Sequence, residues 1–199
     1  MHKVWSSSAG LNSASGNSSA FTKFLENLTG IEGLIPDPHF RGGGLHQVER
    51  GGYLDIHCDF NVYEKLNLDR RLNVLIYLNK DWKKEYGGDL ELWDKNMTKA
   101  VARISPIFNR FVVFATDDYS YHGHPDPLKC PEDKTRKSLA LYYYTNGRPS
   151  DEVSESHTTL FQHRPGLVDI KKMKLRTMVK KITPPIVFDL IKLIKRRLK

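Results

Sequence analysis

Between Gly44 and Thr145 the sequence is cut into eight short apolar runs, and this rhythm limits the fold more than any other feature. The runs are Gly44–Glu49, Tyr53–Phe60, Leu72–Leu78, Asp89–Trp93, Ala100–Ile104, Phe111–Ala115, Tyr121–Pro125 and Ser138–Tyr144. Val, Ile, Leu, Phe and Tyr fill them, and breaks such as Arg50-Gly51-Gly52, Gly87-Gly88, Ser105-Pro106 and Pro125-Asp126-Pro127 divide them. Eight strands in about 100 residues is the count of a double-sheet jelly roll, whose funnel-like interior can host a site. Other sandwiches share the rhythm, so periodicity alone yields a mainly β domain. The expectation is a double-stranded β-helix (jelly-roll) core of eight strands, with a short N-terminal helix and a C-terminal amphipathic helix.

The flanks read differently. Residues 1–18 are Ser-, Gly- and Asn-rich with little to bury, which predicts a flexible lead-in. Ser19 then offers an N-cap, Phe21, Phe24, Leu25 and Leu28 follow at helical spacing, and Gly30 supplies a stop. The folded domain is expected over 19–150 and a polar linker over 151–183. Over 184–199, Pro184-Pro185 precedes Ile186, Val187, Leu190, Ile191, Ile194 and Leu198 on one helical face, ringed by Lys and Arg. A helix of this length spans roughly 21 Å, too short to cross a bilayer. Its apolar face and cationic surround suit peripheral contact with anionic lipid, and equally a helix packed on protein with its charges in water.

The net charge of +8 belongs to that end of the chain. Residues 171–199 hold 11 basic side chains and 1 acid, leaving 20 basic against 22 acidic over 1–170. A nucleic-acid-binding domain would carry its basic footprint on the folded part, so no nucleic-acid partner is expected. Two cysteines, Cys58 and Cys130, and a start without an apolar signal region predict free thiols and a cytoplasmic protein, with membrane-peripheral placement through 184–199 as the alternative.

The chemistry begins at His57-Cys58-Asp59. On a strand, residues i and i+2 share a face, so an imidazole and a carboxylate project together while Cys58 points away. A second histidine from another strand would complete a two-histidine, one-carboxylate set with open positions, typical of Fe(II) oxygenases. His-x-Asp alone is common. What strengthens it is Tyr121-His122-Gly123-His124-Pro125, beginning 62 residues after Asp59, with Arg136 opening the last strand 14 residues beyond His122. A guanidinium at a barrel mouth suits bidentate capture of a carboxylate. By spacing alone Arg136 fits a surface ion pair equally well.

These residues carry a resemblance. Gly44–Tyr144 resembles the prolyl 4-hydroxylase-like branch of the 2-oxoglutarate/Fe(II) oxygenases, most of all the oxygen-sensing prolyl hydroxylases and their bacterial relatives. Tyr77-Leu78-Asn79-Lys80-Asp81-Trp82, followed by Gly87-Gly88, stands after His-x-Asp and before the distal histidine, as in that family. The resemblance implies His57, Asp59 and His122 as iron ligands, with His124 as the alternative distal ligand. It implies Arg136 as the anchor of 2-oxoglutarate, Tyr77 as a hydroxyl supporting the same carboxylate, and Leu90 as an apolar wall. It further implies O2 as co-reactant, ascorbate as reductant, and hydroxylation of an unactivated C–H bond with release of succinate and CO2. Two departures stand out: a longer loop from Pro125 to Thr135, and a shorter N-terminus than the family carries.

Substrate is not legible. A prolyl or other protein side chain and a small molecule, such as an envelope sugar or lipid-linked intermediate, both fit, and the basic tail tilts toward the second. A non-catalytic jelly-roll binding module and a metal-dependent cupin-type protein without 2-oxoglutarate are the competing classes. Asp69-Arg70-Arg71 reads as a solvated loop, although it could flank an anionic substrate. Trp82 and Trp93 read as packing, and so does Tyr142, which is expected to face inward.

Overall fold

The computed structural model describes residues 4–7 and 16–165, and the chain divides into Met1–His163 and Arg164–Lys199. Most of the expected lead-in, the expected linker beyond residue 165 and the basic helix over 184–199 lie outside the described residues. No helix among the described residues is long and apolar enough to cross a membrane.

The described chain is mainly β. Its elements are β1 (Val4–Ser7), α1 (Ser19–Thr29), β2 (Ile35–Pro36), β3 (Gly44–Val48), β4 (Leu54–Cys58), β5 (Val62–Tyr63), β6 (Leu68–Tyr77), β7 (Leu90–Trp93), β8 (Ala100–Ile104), β9 (Phe111–Ala115), β10 (His122–His124), β11 (Arg136–Thr145) and β12 (Leu160–Phe161), with short 3-10 turns at Lys84–Tyr86 and Ser150–Glu152. One antiparallel sheet runs β1-β9-β6-β11-β2, with β3 also on β11 and β5 also on β6; the other runs β12-β4-β10-β7-β8. All eight expected runs form strands, four in each sheet. The four further strands, β1, β2, β5 and β12, are two to four residues long.

Several boundaries differ from expectation. Strand β4 closes at Cys58, so Asp59 lies one residue past the strand rather than on it. Strand β6 begins at Leu68 and takes in Asp69-Arg70-Arg71, which had read as a loop. The cause is a partner: β5 pairs with Leu68 and Asp69, while β11 runs alongside to Thr145. At the ends, Val4–Ser7 pairs with β9 inside the expected lead-in, and Leu160–Phe161 pairs with β4 inside the expected linker.

Alternation along the central strands explains the layering. Leu72, Val74 and Ile76 of β6, with Val113 of β9 and Leu141 and Tyr143 of β11, form one core with Phe21 and Leu25 of α1. Intervening residues Tyr77, Val112 and Phe114 face the second sheet and meet its Leu90 and Leu92. A sheet buried on both faces needs nearly continuous apolar strands, which is how β9 and β11 read. Helix α1 is capped by Ser18 rather than Ser19, with Ser18 Oγ accepting from Phe21 N–H at 3.3 Å. It ends at Gly30, whose φ of 74° is the left-handed conformation that glycine adopts without steric cost.

Candidate metal centre

The centre is assembled by strand pairing. Strand β10 lies between β4 and β7, placing His122 opposite His57 on one side and opposite Leu92 on the other. The two imidazoles therefore meet, with ring centroids 4.5 Å apart. Asp59, just past the end of β4, completes the group: one donor atom from each of His57, Asp59 and His122 lies within 4.8 Å of the other two. His57 Nε2 is 3.7 Å from Asp59 Oδ1, and His122 Nε2 is 3.4 Å from Asp59 Oδ2.

The protonation pattern suits a metal. His57 Nδ1 is 2.8 Å from the Asp55 carbonyl, and His122 Nδ1 is 2.8 Å from the Ser120 carbonyl. A carbonyl only accepts, so each Nδ1 carries the proton and donates it. That leaves Nε2 of each ring as the nitrogen facing Asp59 and able to ligate a metal. Burial pushes the His122 pKa below its ordinary value, against the opposing pull of Asp59. Gly123 is what lets the strands close up here: a Cβ on it would stand 2.7 Å from the Leu54 carbonyl oxygen and 2.8 Å from that of Asp55.

Asp59 is partly buried yet held ionised. Burial alone would raise its pKa, but the Arg70 guanidinium, followed by His122, outweighs it and leaves the carboxyl well below the usual range. Arg70 Nη2 is 3.0 Å from Asp59 Oδ2, and Asn73 Nδ2 donates to the same oxygen at 2.7 Å. Arg70 also donates from Nε and Nη2 to Asn73 Oδ1, at 3.1 and 2.8 Å. Its guanidinium lies over the Tyr142 and Phe60 rings, and only 1% of the residue is exposed. The sequence reading missed this residue. Strand parity would have sent Arg71 inward with Asn73. A bulge in β6, which takes two steps from Leu72 to Arg70 while β11 takes one from Tyr143 to Tyr144, turns Arg70 inward instead, and Arg71 forms an ion pair with Glu152.

The same cavity, about 470 Å³, reaches Arg136 at the start of β11. Arg136 is 5% exposed, its Nε donates to the Gly88 carbonyl at 2.8 Å, and among the described residues no carboxylate lies within ion-pair distance of it. A buried guanidinium with its charge unanswered by protein is a ready site for an anionic ligand. Tyr77 lies behind it, hydroxyl 3.5 Å from Nη2, so it supports the arginine and is not part of the cavity lining. Burial raises the Tyr77 pKa, against Arg136, keeping the phenol protonated. Leu90 lines the cavity. Asn79 explains part of the Tyr77–Trp82 motif: it accepts from Lys137 N–H and donates to the Lys137 and Pro106 carbonyls, fixing the backbone next to Arg136.

The remaining candidates separate cleanly. His124 lines the cavity but lies outside the three-residue donor group, because β4 shifts register between His122 and His124 and pairs His124 with Leu54. Burial, then the charge of Arg136, lowers its pKa to about 3. Cys58 and Cys130 are buried free thiols, and burial pushes the Cys58 pKa up to about 11. Tyr142 does face the cavity, donating its hydroxyl to the Gly42 carbonyl. Trp82 and Trp93 are tied by indole hydrogen bonds to Gly87 and Glu91, which is structural bonding.

Two imidazoles and a carboxylate sharing one point, beside an unanswered guanidinium in a mainly β domain, define a metal-dependent enzyme class whose metal keeps positions open for small ligands. Residues 43–144, just over half the chain, match the 2OG-Fe(II) oxygenase superfamily, and the chain belongs to that superfamily. Fe(II) and 2-oxoglutarate are the metal and cosubstrate for which it is named.

Among solved structures the chain is similar to a prolyl hydroxylase from Trichoplax adhaerens in complex with a hypoxia inducible factor peptide fragment, at 27% identity over 50% of this chain and 41% of that one, TM-score 0.40. It is similar to a Pseudomonas putida prolyl-4-hydroxylase at 18% identity, covering 66% and 63%, TM-score 0.43. A prolyl 4-hydroxylase from Phytophthora capsici aligns at 21% identity, covering 81% and 49%, TM-score 0.49. The chain thus spans less than two thirds of the length of each.

Proposed function

We propose that this chain is an Fe(II)- and 2-oxoglutarate-dependent dioxygenase of the prolyl 4-hydroxylase-like kind, hydroxylating an unactivated C–H bond. His57, Asp59 and His122 hold the metal, and Arg136, braced by Tyr77 and walled by Leu90, anchors the cosubstrate. The observation that carries the reading is one cavity lined both by the three converging donors and by a buried, unanswered guanidinium. On this reading the core is a double-stranded β-helix of eight strands. Support comes from the even split of the eight strands formed by the expected runs, β3, β6, β9 and β11 against β4, β7, β8 and β10.

When bound, Fe(II) and 2-oxoglutarate supply the oxidative decarboxylation, with O2, that yields succinate and CO2 and hydroxylates the substrate. The chain's own part is position and charge. Two neutral imidazoles and one carboxylate offset half the charge of a dication and leave three positions open. Arg70 and Asn73 keep the carboxylate ionised and turned toward the histidines. Leu75, Leu90 and Phe114 wall the cavity and exclude water. Tyr53 and Leu54 line it too, and both are exposed, which marks the apolar mouth where a substrate enters.

Succinate release from 2-oxoglutarate, with and without Fe(II) and with ascorbate as reductant, tests the reading. We expect Fe(II)-dependent succinate that is lost in His57→Ala and Asp59→Ala proteins of unchanged circular dichroism. Full turnover by His57→Ala removes the assignment. Arg136→Ala should raise the 2-oxoglutarate needed for half-maximal rate roughly ten- to hundredfold, since a charge-assisted contact is worth about 1.5–3 kcal/mol. A binding module forms no succinate, and a cupin-type enzyme does not need 2-oxoglutarate. Coupled succinate formation across prolyl peptides and small molecules distinguishes the two substrate classes.

A further inference from the structure

His124 lines the cavity with the metal donors and Arg136, yet belongs neither to the donor group nor to the hydrogen-bond network around it. It follows His122 by two residues on β10 and is 4% exposed. Its Nδ1 is buried without a partner, whereas the Nδ1 of His57 and of His122 each meets a backbone carbonyl. An unpaired polar nitrogen in the interior carries a desolvation cost that an apolar side chain at the same place avoids. Packing alone therefore gives no reason for an imidazole here. Arg136 and His57 line the same cavity as this ring.

We propose that His124 is a binding residue for the cosubstrate, donating its ring N–H to a carboxylate oxygen of the bound dicarboxylate. The proposal rests on the oxygenase reading above. A neutral imidazole carries one N–H in either tautomer, and a half-turn about its Cβ–Cγ bond exchanges the ring edges, so a donor can always be presented to the cavity. A bond to a carboxylate is charge-assisted and directional. Together with Arg136 it would fix the orientation of the dicarboxylate about its long axis, which a single anchor leaves free.

The test is anaerobic calorimetric titration of the Mn(II)-loaded full chain with 2-oxoglutarate. We expect His124→Leu to weaken binding about tenfold and His124→Asn, which keeps a donor near the δ position, to recover most of the loss. Mn(II) affinity should be unchanged in both. Should the leucine variant not fold, His124→Phe replaces it under the same criterion. Wild-type affinity in the apolar variant overturns the proposal, and so does a drop in Mn(II) affinity in both variants, which would make His124 a metal ligand. Wild-type protein that takes up Mn(II) but no 2-oxoglutarate overturns the oxygenase reading itself.

Discussion

At Asp59 burial opposes ionisation and Arg70 enforces it, and the balance decides whether the cavity holds a carboxylate or a carboxylic acid. Only the carboxylate is a good ligand for a divalent cation. Arg70→Met should therefore weaken Mn(II) binding by about 10–100-fold, the usual cost of removing an outer partner of a ligand. It should also lower unfolding free energy by about 3–5 kcal/mol, because an uncompensated charge is left buried. Metal titration and urea denaturation read the two effects separately. Arg70→Lys should not rescue either, since an ammonium cannot bridge Asp59 and Asn73 while lying flat between two rings. Unchanged metal affinity in a folded Arg70→Met protein would mean that Asp59 orients itself. Metal should in turn stabilise the fold by about 2.7 kcal/mol at a hundred times its dissociation constant, with no such gain in Asp59→Asn.

Strand β12, like β1, β2 and β5, is an element that periodicity could not foresee. It is two residues long, pairs Leu160 with Cys58 and Phe161 with His57, and sets the Phe161 ring 5.4 Å from the His57 ring. So short a strand has little pairing free energy of its own, and Asn61 holds the approach to it. Asn61 Nδ2 donates to Ser154 Oγ at 3.0 Å and to the Glu155 carbonyl at 2.8 Å, while its Oδ1 accepts from His157 N–H at 2.9 Å. Asp118 adds to the clasp by bonding both Ser154 and His157. Asn61→Ala should cost about 1–3 kcal/mol. Hydrogen exchange should quicken over 154–162, including the Gln162 amide bonded to the Ile56 carbonyl, while β6 and β9 keep their protection. Uniform exchange across the domain would show that the strap unfolds only with the rest.

For the molecule as a whole, the larger sheet keeps stability and chemistry on opposite faces: α1 packs one, and Arg70, Asn73, Arg136 and Tyr142 face the site from the other. Leu25→Ala should then cost about 2–5 kcal/mol in urea denaturation and leave Mn(II) affinity unaltered; a loss of both would mean that the helix face also positions the site. Much of this was legible beforehand. Alternation of apolar residues follows from the period of a strand, so eight strands were readable, as were the His57/Asp59 pair, the distal histidine and Arg136. Local spacing says which side chains leave one face of one strand, and no more. It could not choose between His122 and His124, because the choice depends on which of them the neighbouring β4 pairs with His57. Nor could it see Arg70, since a bulge in β6, visible only in its pairing with the distant β11, turns that side chain inward. The sequence by itself determined the strand-built domain and its metal-binding residue types; the tertiary structure alone decided which groups meet, because convergence is set by pairing between segments that lie far apart along the chain.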